Sequence, residues 1–422
     1  RQVPVTPGTG VWLRSLGLGL ACLLCSPGAA ASSDSEQARA LDQRLHAAAA
    51  YLHAQIGASG QMVYRRDAIS GEPLRERYNL LRHAGSVLAL AEYHTLFVPD
   101  AGQRQAIDRA LDFVRRCCLA PSQPGADDLA VWSPPEVERG RRTYALAKLG
   151  GAGLTLAALA QWRRVHPDGV ALAEMQALGR FILSMQGNDG RFRSLHAWEQ
   201  GQHDPRWESL YYPGEAALGL VLLFEHDRDR RWLEGAIDAL QALARQRETL
   251  GDPPPDHWAL MATGRLWRQD PMALEAAVPD GFGWGPADDG RTAIAPLLMD
   301  HGLSVARVML GEQSRSPALE CARGSFTGDG RTTPTATRLE GLLGLLPVVP
   351  EGELRRAIGR SIDAGLAFVL AAQRLDGPVA GGFSRVTPAC PSDDARAHEV
   401  RIDYVQHALS AMQAYRVLIS PP

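Results

Sequence analysis

Apolar residues recur at three- and four-residue spacing along almost the whole chain, broken by short stretches rich in Gly, Pro and Asp. Twelve segments carry this helical period: 36–55, 77–97, 102–117, 140–165, 169–187, 208–227, 230–248, 254–269, 290–312, 334–348, 351–373 and 399–419. Twelve helices joined by short breaks pair naturally into six hairpins.

The segments alternate in character. Even-numbered ones open on aromatic and polar residues and continue with small or apolar ones, as in Tyr78-Asn79-Leu80-Leu81-Arg82-His83, Thr143-Tyr144-Ala145, Tyr211-Tyr212-Pro213-Gly214-Glu215, Asp256-His257-Trp258 and Arg401-Ile402-Asp403-Tyr404. Such helices suit an inner ring whose N-terminal turns, with their free N–H groups, face one mouth. Odd-numbered segments, 102–117, 230–248 and 351–373 above all, pair an apolar stripe with a charged face, as an outer ring half in water requires. The predicted fold is therefore all-α, an (α/α)6 toroid of about twelve helices in two concentric rings.

Two connections after outer helices look alike: Gln186 to Phe192, and Gln373 to Phe383. Each runs from a Gln through a Gly-rich turn to an aromatic that tucks back, which supports a repeated unit. The irregular stretches 121–139 and 314–334 are expected to be rim or lid loops.

Residues 1–31 depart from this pattern. Arg14, the apolar run Leu16 to Cys25, Ser26-Pro27-Gly28 and Ala29-Ala30-Ala31 follow the order of a signal peptide, and the run is too short to span a bilayer. Export to the periplasm or medium is expected, with 32–422 as one toroid domain and no membrane span after cleavage. A lipoprotein anchor at Cys22 fits less well. The composition, 45% hydrophobic and 22% charged with a net charge of −3, predicts a real core and offers no polybasic face for nucleic acid. Four cysteines remain beyond the leader. Cys321 and Cys390 sit where a long-range disulfide helps most, and Cys117-Cys118 have no nearby His with which to bind zinc. No metal or other cofactor is expected, and the pattern sets no oligomeric state.

The helix count and the aromatic-rich helix starts resemble the six-hairpin glycosidase group, over about residues 36–419. Arg401-Ile402-Asp403-Tyr404 is also similar to a segment of glucuronyl C5-epimerases, but the second His directly after the Tyr is missing here. The resemblance implies a carbohydrate substrate in a central cleft.

Sugar chemistry needs acids, bases and flat apolar faces. Glu215 and Asp403, each in the first turn of an inner helix, are the expected carboxyl acid and base of a glycoside hydrolase; a helix-dipole acid and a cap or salt bridge are their structural alternatives. His257 is a further acid or base, Asp256 the helix cap before it, and Trp258 a stacking surface. Tyr404, with His407 one turn on, serves the alternative of a uronate epimerase or lyase. Tyr78, Asn79, Arg82, His83, Tyr144, Tyr211, Tyr212 and Arg401 are expected to bind substrate, with Arg82 anchoring a carboxylate; a buried polar network is the other reading of the 78–83 turn. Arg338 and Glu340 are weaker candidates. A non-catalytic glycan-binding or assembly protein is the remaining class. Serine-hydrolase elbows, P-loops, HExxH and dinucleotide motifs are absent.

Overall fold

The structure, a computed structural model, describes residues 27–74, 77–140, 142–197, 207–278, 281–283, 293–315 and 319–420. The apolar run of the expected signal peptide lies outside these residues.

The helices are α1 (Pro27–Gln55), α2 (Leu80–Leu96), α3 (Ala101–Cys117), α4 (Pro135–Glu138), α5 (Leu149–Val165), α6 (Leu172–Ser184) and α7 (Tyr212–Asp227). They continue with α8 (Arg230–Arg247), α9 (His257–Leu266), α10 (Pro271–Ala276), α11 (Ile294–Arg315), α12 (Thr332–Leu345), α13 (Glu353–Ala372) and α14 (Ile402–Ile419). Helices α2, α5, α7, α9, α12 and α14 each pack on the next, and α14 returns onto α2, so six helices close a ring. Around them α1, α3, α6, α8, α11 and α13 pack from outside. This is the two-ring toroid that the alternation predicts, with short α4 and α10 added at its edge.

Burial explains why each sequence type takes its place. In α5 and α7 nearly every residue is buried, because neighbours surround them on all sides. In α3, a helix with one apolar stripe, only Ala106, Ile107, Ala110, Leu111 and Val114 are buried. Inner helices approach closely where glycines face each other: a Cβ on Gly264 of α9 would lie 2.0 Å from the Gly344 carbonyl oxygen of α12.

The rim holds short strands that the helical period does not reveal. Strands β2 (Leu119–Ala120), β3 (Ala130–Ser133), β4 (Leu146–Lys148) and β5 (Leu195–His196) form an antiparallel sheet in that order, with Ala147 opposite both Trp132 and His196. The expected helix over 140–165 therefore begins only at Leu149, because the residues before it are drawn into this ladder. The stretch 121–139, expected as a loop, supplies β3 and α4. Strand β1 (Arg65–Asp67) pairs with β6 (Glu399–Arg401), Arg65 opposite Arg401.

Both look-alike connections behave alike. Gln186 bridges Phe192 and Gln373 bridges Phe383, and both aromatics are buried. Each Gln amide also donates to a neighbouring outer helix, Gln186 to Gly235 and Gln373 to Arg44. Cys321 and Cys390 form a disulfide across 69 residues that fastens the stretch before α12. Cys117 and Cys118 form a vicinal disulfide, a pairing the sequence reading leaves open. Among the described residues no helix is long and apolar enough to cross a membrane.

The close approach of α9 and α12 is directly testable. Gly264→Ala should cost about 1–3 kcal/mol in chemical denaturation, because backbone must shift to admit the methyl. Gly359→Ala on α13, where no atom lies within 4 Å of the added Cβ, should instead be neutral or stabilise by up to about 1 kcal/mol.

Candidate functional site

A cavity of about 330 Å³ opens where the inner-ring helices begin, and all six contribute to its wall. Helix α2 starts at the Asn79 cap, whose side-chain oxygen accepts from the Leu81 and Arg82 backbone N–H groups. That start aims Arg82 across the mouth, where its Nε meets Asp403 Oδ2 of α14 at 2.9 Å. Arg401, the last residue of β6, holds the same carboxylate with both prongs, at 2.5 and 2.8 Å. The Asp403 side chain is only 3% exposed. Burial pushes its carboxyl upward, but the Arg82 and Arg401 charges outweigh this and hold it below the usual range. The Arg401 guanidinium also lies 4.5 Å from the centre of the Tyr404 ring, and the Tyr404 hydroxyl donates to Glu399 at 2.9 Å.

Glu215 is in the opposite state. It projects from the first turn of α7 toward α5, into space left by a glycine: a Cβ on Gly150 would lie 2.0 Å from Glu215 Oε2. That oxygen is buried and has no hydrogen-bond partner among the described residues. Burial, then the negative charge of Asp256, push the carboxyl up, against the pull of Arg82, to about 8. Glu215 is thus a protonated acid at neutral pH. Asp256 is buried, caps α9 through Ala259 N–H at 3.1 Å, and pairs with Arg247 at 2.9 Å.

The cavity also contains two histidines. His257 opens α9 and His407 lies one turn into α14, with ring centroids 5.4 Å apart and planes at 75°. Glu340 of α12 lies between them, its Oε2 2.7 Å from His407 Nδ1 and 3.7 Å from His257 Nε2. The Glu340 side chain is 1% exposed, His257 3% and His407 13%. Neither His257 ring nitrogen has a hydrogen-bond partner among the described residues. Burial, then the neighbouring His407 and Arg338, drive its pKa well below the ordinary value, so the ring is a neutral base. Burial pushes Glu340 up, with His407 opposing. The ligand atoms of His257, Glu340 and His407 lie within 4.8 Å of one another, a donor set that suits a divalent cation as well as proton transfer.

Most of the expected site residues converge here. Asn79, Arg82, Tyr211, Tyr212, Glu215, His257, Trp258, Arg401, Asp403, Tyr404 and His407 all line the cavity. Three residues expected to bind substrate are placed elsewhere. Tyr78 and His83 are buried beside the wall, where the Tyr78 hydroxyl pairs with His83 Nδ1 at 2.7 Å and accepts from Met62 N–H, while His83 Nε2 reaches the Ala110 carbonyl. They are the buried network tying α2 to α3. Tyr144 precedes β4 and is not among the lining residues. The sequence reading missed Arg331, Thr333 and Arg385, which also line the cavity. Arg331, immediately before Thr332-Thr333-Pro334, carries a helix-start signal that marks it; Arg385 lies in an irregular stretch that gives none.

Neither known family models nor curated proteins match this sequence. Solved structures do. A D-mannose isomerase superimposes with a TM-score of 0.60 at 10% identity over 90% of this chain and 97% of its own. A cellobiose 2-epimerase from Spirochaeta thermophila gives 0.58 at 14% identity, covering 93% of this chain and 100% of its own. An α-1,6-mannanase from Salegentibacter sp. gives 0.55 at 13% identity, covering 88% and 99%. The fold is the six-hairpin (α/α)6 toroid. At these identities the toroid is what is shared, and its chemistry has to be argued from the cavity.

Protonation of Glu215 has a measurable consequence. Its folded pKa lies above the unfolded one, so the stability it lends is complete below about pH 4.5 and is lost as pH rises through about 8. Glu215→Gln should lose less stability than the parent between pH 5 and 9, by on the order of a few kcal/mol in denaturation midpoints taken at each pH. Parallel profiles for the two proteins would show that the buried carboxyl is not protonated.

Proposed function

We propose that the toroid is a carbohydrate-active enzyme that moves a proton at the carbon next to a sugar carbonyl, as an aldose–ketose isomerase or 2-epimerase. The observation that carries this reading is the His257–His407 pair, two rings 5.4 Å apart in one cavity, one of them buried with both nitrogens unpartnered. The names of the isomerase and epimerase among the superimposed structures support it.

A neutral His removes the C–H proton, and the bond's electron pair moves toward the carbonyl, leaving an enediolate whose charge sits on oxygen. The protonated Glu215 and the Arg82 guanidinium are the groups that hydrogen-bond such an oxygen. Return of that proton to the neighbouring carbon, with the hydroxyl proton passing to the former carbonyl oxygen, gives the isomer; delivery to the opposite face of the original carbon by the other His, which must then enter the turnover as the imidazolium, gives the epimer. Glu340, bonded to His407 Nδ1, directs that ring's other nitrogen to act as the base.

Hydrolysis is the second reading, favoured by the raised pKa of Glu215, which suits a general acid. Its partner would be Asp403, whose two oxygens are already occupied by Arg82 and Arg401. A carboxylate held so low and so fully bonded is a weak base. The same pairing makes Asp403 the orienting group for two arginines. Tyr404, raised by burial and donating to Glu399, is likewise poorly placed to lose a proton.

The deciding assay incubates the protein with reducing sugars in D2O and follows deuterium incorporation at carbon by mass spectrometry and NMR. One deuterium per turnover is expected, with His257→Asn and His407→Asn each slowing turnover by about 10²–10⁴-fold. Release of reducing ends that depends on Glu215 and survives both His variants would replace this reading with hydrolysis. Loss of activity on chelation, restored by a divalent metal, would recast the two histidines as ligands.

A further inference from the structure

The wall of the cavity at the start of α12 has features that proton transfer alone does not require. Helix α12 begins at Arg331 without a side-chain cap. Its first turn includes Thr333, whose hydroxyl oxygen is buried and has no hydrogen-bond partner among the described residues. Arg338 follows Arg331 by seven residues, two helical turns, and so lies on the same face. The chain returning from the Gly381-Gly382 turn adds a third cation: Thr332 N–H donates to the Arg385 carbonyl at 3.1 Å, and Arg331 bridges Val386. Arg331, Thr333, Arg338 and Arg385 all line the cavity that contains the histidines.

An acid braces each of these arginines from one side. Arg338 meets Glu312 at 2.9 Å, Arg385 meets Asp394 at 2.6 Å and Arg331 meets Asp329 at 2.7 Å. A guanidinium carries five N–H donors in a rigid fork, so one carboxylate fixes its plane and leaves donors for a second oxyanion. The helix start adds a positive dipole end and the Thr333 backbone N–H, since Thr332 N–H is taken by the Arg385 carbonyl and Pro334 has none. Three guanidiniums with fixed planes lining one wall suit the paired oxygens of an oxyanion better than the single oxygens of neutral sugar hydroxyls.

We infer that the start of α12, with Arg331, Thr333, Arg338 and Arg385, is an oxyanion subsite, and that the sugar turned over by the toroid carries a carboxylate, sulfate or phosphate group bound there. This rests on the proton-transfer reading for what happens at the other end of the sugar. The subsite itself is read by binding alone.

The test is isothermal titration of the whole chain with D-glucuronate, D-glucose 6-sulfate and D-glucose 6-phosphate against D-glucose, with inorganic sulfate as a fourth arm. At least one charged sugar should bind about tenfold or more tighter than glucose, and the arm that does so identifies the oxyanion. Arg338→Gln and Arg385→Gln should erase that preference, and Arg331→Gln, at a half-exposed position, should weaken it in a protein whose fold is least at risk. Equal affinity for charged and neutral sugars overturns the subsite, even if neutral sugars exchange deuterium. A charged preference that survives all three arginine variants overturns it as well, and inorganic sulfate binding unchanged in those variants would place the anion elsewhere. An arginine-dependent preference without deuterium exchange keeps the subsite and removes the proton-transfer reading.

Discussion

The buried carboxylate of Asp403, gripped by Arg82 from one side and Arg401 from the other, is the interaction on which the rest of the cavity depends. Arg82 belongs to the first inner helix and Asp403 to the last, so this ion triad closes the ring at the seam between the two ends of the chain. Burying one carboxylate alone costs several kcal/mol, whereas two well-placed guanidiniums repay it. The seam is reinforced at other depths by Gln413 donating to Glu92 and by Arg416 pairing with Asp42 of α1. Strand β6 adds a backbone component, pairing with β1 just before α14 begins.

The same rule of countercharge sorts the remaining titratable groups. Asp403 has two cations and stays ionised. Glu215 has no hydrogen-bonded cation among the described residues, and burial pushes its carboxyl up to about 8. His257 has no hydrogen-bonded partner among the described residues, and burial keeps it neutral. Glu340 lies against a histidine, its Oε2 2.7 Å from His407 Nδ1, and burial pushes its carboxyl up. One cavity thus contains an ionised carboxylate, a neutral acid and a neutral base within a short span. That mixture is what proton transfer next to a carbonyl needs, and it comes from the neighbours each group meets, since Glu215 and Asp403 both lie in the first turn of an inner helix.

The helical core and the rim contribute differently. Inner helices fix the floor through their first turns, where backbone direction is set by caps such as Asn79 and Asp256. The rim, with short strands and a disulfide in place of long helices, brings in side chains from far apart in sequence. Arg385 reaches the start of α12 only because the 381–387 chain lies against it, in a region that Cys321–Cys390 fastens. Side chains carried by the rim can therefore vary without disturbing the ring.

What the sequence determined by itself was the architecture and the mouth. Apolar periodicity sets where helices form, alternation of all-round apolar and one-striped segments sets which ring each joins, and polar first turns mark the end where chemistry gathers. These are local or near-local properties, and Glu215, His257, Asp403 and His407 were legible from them. Tertiary structure alone decided which neighbours each group meets. Tyr78 and His83 look like binding residues in sequence, yet they satisfy each other beside the wall because α2 turns His83 toward α3 and Tyr78, just before the helix, bonds to it there. Tyr144 left the inner ring because a strand ladder claimed the residues after it. Asp403 and Glu215 read as equals until one was found between two arginines and the other in a pocket opened by Gly150. Protonation state and pairing depend on contacts between residues hundreds of positions apart, and no spacing along the chain encodes them.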